Sequence, residues 1–124
     1  METPKTKQGI RTENGIVLFE VPGDPQTYRL QFNLNELADA EELITLNLLR
    51  AIFTWPNLSG QQIRGLLYAL LRAGMQVPKG NTQATLEDAG AVFTKAPSVV
   101  LDALREALIV AGFIEMKEPA PPAV

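Results

Sequence analysis

Between Ser59 and Gly74 the chain reads SGQQIRGLLYALLRAG, and no other stretch restricts the fold as strongly. Ile63, Leu66, Leu67, Leu70 and Leu71 fall at i, i+3, i+4, i+7 and i+8, which gathers them on one side of an α-helix as a stripe that must face a core. Ser59 and Gln62 have the spacing of a capping box, each side chain accepting from the other residue's backbone N–H. Gly74 is expected to close the helix in the left-handed conformation, and Pro78 to prevent its resumption. Gln61, Arg64, Gly65, Tyr68 and Arg72 define the other side. Glycine inside a helix costs about 1 kcal/mol relative to alanine. Gly65 therefore either leaves a gap beside Tyr68 for another helix or is a tolerated compromise with Tyr68 snorkelling to water.

The stripe needs partners, and the flanking sequence supplies them. Ile16–Val21 (IVLFEV) and Thr27–Asn33 (TYRLQFN) are β-branched, aromatic or alternating, and Pro22–Pro25 (PGDP) holds turn residues, so the pair predicts an antiparallel hairpin. A lone hairpin is marginal in water, so its Tyr28/Leu30/Phe32 face should lie on helices. Asn33 with Glu36 marks the start of an acidic helix carrying Leu34, Leu37, Ala38, Ala40 and Ile44. Leu46–Trp55 (LNLLRAIFTW) is apolar nearly all round and predicts a second, short helix ending at Trp55-Pro56. Thr85 caps LEDAGAVFTK, with Leu86, Ala89 and Phe93 inward, and Pro97 suits the first position of a last helix with the stripe Val100, Leu101, Leu104, Ala107, Leu108 and Ala111. Gly112 ends it.

The expected fold is mainly α with a small N-terminal β-hairpin, an α+β bundle of about four to five short helices. Residues 1–15 are expected to be a flexible arm. Residues 16–114 form the single globular domain, with the hairpin over 16–33 and helices over 34–113, and 115–124 a flexible proline-rich tail. Val77–Ala84 (VPKGNTQA) reads as a polar loop. A length of 124 residues suits one domain.

Composition narrows the chemistry. With neither cysteine nor histidine, thiol catalysis, disulfides, Cys/His zinc sites and imidazole proton transfer are excluded. A net charge of −3 gives no long-range attraction for phosphate backbones, so nucleic acid is not an expected partner. The polar N-terminus and the lack of a window of roughly 18 apolar residues predict a soluble, unexported protein with no membrane partner. No phosphate loop, nucleophile elbow, metalloprotease motif or EF-hand loop is present. Glu41-Glu42 and Glu87-Asp88 lack the spacing of a cation cage and read as helix-surface charge. No cofactor and no catalytic residue is expected.

Function by surface contact is the remaining expectation. Leu48, Leu49, Ile52, Phe53 and Trp55 exceed what one side of a short helix can bury. Most are assigned to the core, with Trp55 as the exposed anchor. The candidate partner-binding residues are Leu49, Phe53, Trp55, Gly65, Tyr68 and Arg72.

The order of features resembles that of the tail assembly chaperones of long-tailed bacteriophages and gene-transfer-agent particles. The resemblance spans about Tyr28 to Leu108 and rests on YRLQFN, the acidic helix LNELADAEEL, the short apolar LLRAIF, then IRGLLYALLRAG, and TLEDAG before a final helix. It implies a non-enzymatic protein in the bacterial host cytoplasm that binds the tape measure protein, keeps it soluble and leaves when major tail tube subunits polymerise around it. It also implies a second, longer product made by ribosomal frameshifting. The family often turns out of its acidic helix at a glycine, where this chain has Ile44-Thr45.

Two further readings compete. A structural or adaptor virion protein would use its hairpin edge to self-associate into a homo-oligomer. A small DNA-binding regulator would need a recognition helix, which only Gln61-Gln62-Ile63-Arg64 approaches, against an acidic balance.

Overall fold

The computed structural model describes residues 10–76 and 85–114. Its elements are β1 (Ile10–Glu13), β2 (Ile16–Glu20), β3 (Thr27–Leu30), α1 (Leu34–Ile44), α2 (Leu48–Ile52), α3 (Gly60–Gly74), α4 (Leu86–Lys95) and α5 (Pro97–Val110). This is the expected α+β class, with one strand more than the hairpin. The 77–84 loop, the first nine residues and the 115–124 tail lie outside the described residues.

The additional strand corrects the assignment of residues 1–15 to an arm. Asn14 and Gly15 take φ of 52° and 79°, the mirror-image turn whose twist matches two paired strands. It sets Glu13 opposite Ile16 and Ile10 opposite Phe19. Order therefore begins at least as early as Ile10 rather than at Ile16. β3 joins the other side of β2, with Phe19 opposite Tyr28 and Val17 opposite Leu30, completing an antiparallel sheet in the order β1-β2-β3. Because side chains alternate, Ile10, Val17, Phe19 and Leu30 share one face, and all four are buried in the core. Leu18 points the other way, between Arg11 and Arg29 of the neighbouring strands, and is nonetheless buried.

α3 is the centre of the molecule. It touches α1, α2, α4 and β3, and Leu66, Leu67 and Leu70 are wholly shielded from water. Each such side chain contributes about 1.5–3 kcal/mol of transfer free energy. The capping box at Ser59 is formed in both directions, Gln62 N donating to Ser59 Oγ at 3.1 Å and Ser59 N to Gln62 Oε1 at 2.8 Å. Thr85 and Asp88 make the same arrangement at the start of α4.

Gly74 has a different role from the one expected. It is the last helical residue, and the left-handed position belongs to Gln76, at φ 57°. What requires glycine is β3: a Cβ on Gly74 would lie 2.2 Å from the Arg29 carbonyl oxygen and 2.8 Å from Leu30 N. Beside this contact Gln31 N donates to the Leu70 carbonyl at 3.1 Å, so the end of α3 lies against the edge of β3 that faces away from β2.

α1 begins at Asn33, whose side chain accepts from Glu36 N, and ends with Thr45 in the left-handed region at φ 54°. The turn into α2 is thus made without glycine, by a β-branched residue in a conformation such residues disfavour. α5 starts with Pro97 at its first turn and packs on β2, β3 and α4. It closes on Gly112 at φ 94°, with Gly112 N donating to Ile109 O and Phe113 N to Leu108 O. These two bonds constitute a Schellman motif, which folds the chain back and directs Phe113 toward α2.

Candidate interaction surface

A five-residue helix has no stability of its own in water, so α2 depends on what holds it. Asn47 accepts from Arg50 N at 2.9 Å, and the Glu41 carboxylate of α1 accepts from Leu49 N, also at 2.9 Å. Glu41, expected as plain surface charge, therefore fastens α2 to α1. Leu48, Ala51 and Ile52 are buried, which turns Leu49 and Phe53, one helical turn apart, to the outside. Their exposures are 36% and 67%, and Phe53 is the most exposed of the large apolar side chains among the described residues.

Phe53 does not stand alone. Its ring meets Phe113 edge-on at 5.6 Å, and Phe113 meets Phe32 edge-on at 4.8 Å. Such pairs contribute about 0.5–1.5 kcal/mol beyond area burial. Phe32 and Phe113 are half-buried and lean on the core, so Phe53 is the outward end of a supported aromatic row. Phe113 was absent from the sequence-based candidates; its signal is its place directly after the helix-closing Gly112, where an apolar residue commonly folds back.

The six sequence-based candidates separate into two groups. Leu49 and Phe53 lie at the surface, while Trp55, expected as the exposed anchor, is half-buried against the core. Gly65 is buried: a Cβ there would come within 2.5 Å of Ile44 Cδ1 and 3.2 Å of both Leu48 methyls. The gap read from the sequence exists, and the junction of α1 and α2 fills it. Arg72 is buried too, at 8% exposure, with Nε 3.4 Å from Glu36 Oε1 and its guanidinium 5.5 Å from the centre of the half-buried Tyr68 ring. Gly65 and Arg72 thus belong to the interior packing of α1 and α2 on α3, and Tyr68 lies beside them beneath a cation.

A second polar cluster pins the β2–β3 loop. Asp24 accepts from the Tyr28 hydroxyl at 2.7 Å and from Gln26 N at 3.0 Å, with Lys95 Nζ at 3.7 Å. The Tyr28 hydroxyl, followed by the Gln26 N–H, holds the Asp24 carboxyl below its ordinary range. Burial, reinforced by that carboxylate, pushes the Tyr28 phenol up to about 12. The cluster joins a loop to the end of α4, and all its members are accounted for by one another.

Among the described residues no three metal-capable side chains converge, and no helix is long and apolar enough to cross a membrane. The chemistry available to the Leu49/Phe53/Phe113 surface is burial of apolar area. Compared with protein-family models, with curated proteins and with solved structures, the chain finds no match.

Proposed function

We propose that the protein is a non-enzymatic tail assembly chaperone of a long-tailed phage or gene-transfer-agent particle, acting in the host cytoplasm. It binds the tape measure protein and keeps this long helical client soluble until tail tube subunits polymerise around it. The observation that carries the reading is the apolar surface made by Leu49, Phe53 and Phe113, built on α2 and the end of α5. An apolar helix of a client can lie against such a surface in the helix-in-groove mode, and the order of elements from Tyr28 to Leu108 supports the same assignment.

The test is co-expression with the long, helix-rich protein encoded next to this one, followed by solubility analysis and pull-down. The expected result is a client that is soluble only in the presence of this chain and co-purifies with it. A client that is soluble alone, or that never co-purifies, overturns the proposal.

A second reading, self-association through the sheet, is favoured by one observation. β1 is an edge strand with Arg11, Thr12 and Glu13 exposed, and an uncovered edge is a template for pairing with another chain. Sedimentation at several concentrations distinguishes a stable oligomer from a monomeric client binder.

A further inference from the structure

α2 is apolar on both sides, with Arg50 as its sole polar residue. Its inner side is used by the core and its outer side is not, the pattern of a helix that meets another molecule. The charge that α1 brings beside that outer side is negative, while α2 itself exposes Arg50. α1, which contacts α2, carries Glu36, Asp39, Glu41 and Glu42 and no lysine or arginine. Glu36 is committed to Arg72, while the Glu41 carboxylate stands at the Leu49 backbone, at the margin of the apolar surface, and Glu42 next to it is exposed.

From this pairing of apolar centre and acidic margin we infer that the occupant of the Leu49/Phe53/Phe113 surface is an amphipathic helix whose apolar stripe is bordered by lysine or arginine. The inference rests on the proposed client-binding role and adds the chemistry that selects the client segment. Phe53 and Leu49 supply burial at the centre. The Glu41 carboxylate and the exposed Glu42 beside it in sequence attract a basic border and disfavour an acidic one, speeding encounter and fixing orientation, and Arg50 of α2 disfavours a second basic border on its own side.

Two synthetic helical peptides sharing one leucine stripe, bordered in one by lysine and arginine and in the other by glutamate, test this in fluorescence titrations with the full chain. The lysine/arginine peptide is expected to bind about tenfold tighter at low salt, with the advantage shrinking as salt rises. Phe53→Ala, at an exposed site and so compatible with folding, should weaken that peptide by about tenfold. Glu42→Lys should reduce the difference between the two peptides without removing the leucine-dependent binding. Equal affinity for both peptides, or indifference to Phe53→Ala, overturns the inference. A concentration-dependent dimer abolished by Phe53→Asp also overturns it, because the occupant is then a second copy of the chain. If the natural client is still solubilised while the peptides show no charge preference, the chaperone reading stands and this inference alone falls.

Discussion

Three of the helical glycines, Gly65, Gly74 and Gly90, look alike in sequence and should respond differently to alanine. In a solvent-facing helix Gly→Ala stabilises by about 1 kcal/mol. At Gly90 the nearest atom to an added Cβ is Arg64 Cδ at 3.6 Å, an ordinary contact, so Gly90→Ala should gain about that amount. At Gly74 the added Cβ meets Arg29 O at 2.2 Å, Arg29 C at 2.5 Å and Leu30 N at 2.8 Å, all main-chain atoms of a strand held on its other side by β2. Relief requires α3 and β3 to separate by about 1 Å, and overpacking of this kind costs about 1–3 kcal/mol. The same movement stretches the Gln31–Leu70 hydrogen bond beyond its 3.1 Å, a further loss of about 1 kcal/mol. Against the helix-propensity gain, Gly74→Ala should be destabilised by about 2 kcal/mol. Gly65→Ala falls between, because what it meets are the rotatable methyl ends of Ile44 and Leu48. Urea denaturation followed by far-UV circular dichroism and by the fluorescence of Trp55, the chain's sole tryptophan, gives the order at unchanged m. Stability of Gly74→Ala equal to the parent, or above it, would refute the close approach of α3 to β3.

Thr45→Gly should raise stability by about 1 kcal/mol, since glycine takes the left-handed conformation that closes α1 without strain; a lower urea midpoint would contradict this. Leu67→Ala, at a fully buried site, should lose about 2–5 kcal/mol in the same assay. Alkaline pH provides a third probe. Tyr28 is raised in the fold from 10.0 to about 12, so the fold favours its neutral form. That contribution is complete below pH 10 and is lost as pH rises from 10 to about 12. The melting temperature of Tyr68→Phe should therefore fall across this window more steeply than that of Tyr28→Phe, and parallel slopes would count against the Tyr28–Asp24 contact. Arg72→Ala, which leaves the partly buried Glu36 without this cation, should cost about 2 kcal/mol; loss of client binding with unchanged stability would instead return Arg72 to the surface.

Local signals were legible where neighbours in sequence suffice to produce them. The capping box at Ser59, Thr85 and Asn33 as caps, Pro97 at a first turn and the PGDP connection each involve residues within a few positions, and each is formed. β1 escaped because Ile10-Arg11-Thr12-Glu13 has one apolar residue and lies among polar ones, although Asn14-Gly15 is a strong hairpin signal in its own right. The inward position of Arg72 was hidden because a helical wheel shows a cation's direction but not the carboxylate waiting on another helix. Gly65 and Gly74 needed tertiary neighbours, Ile44 and Leu48 in one case and Arg29 in the other, that no local pattern names. At the candidate surface, Leu49 and Phe53 followed from the excess of apolar residues in a short helix, whereas the partial burial of Trp55 and the return of Phe113 depend on how chain ends fold over the core.

The end of α3 lying against β3 has a consequence for assembly. Between Arg29 and Gln31 the far edge of the sheet is already taken, by the Leu70 carbonyl and the bare Cα of Gly74. Among the described residues β1 presents the edge without such cover, so in strand pairing they offer one site. Two copies can join edge to edge through β1 and satisfy each other, and among the described strands no uncovered edge then remains for a third. This cover opposes growth of a ribbon or fibre by sheet extension through the described strands, so a larger ring made from the described residues would draw on helix faces.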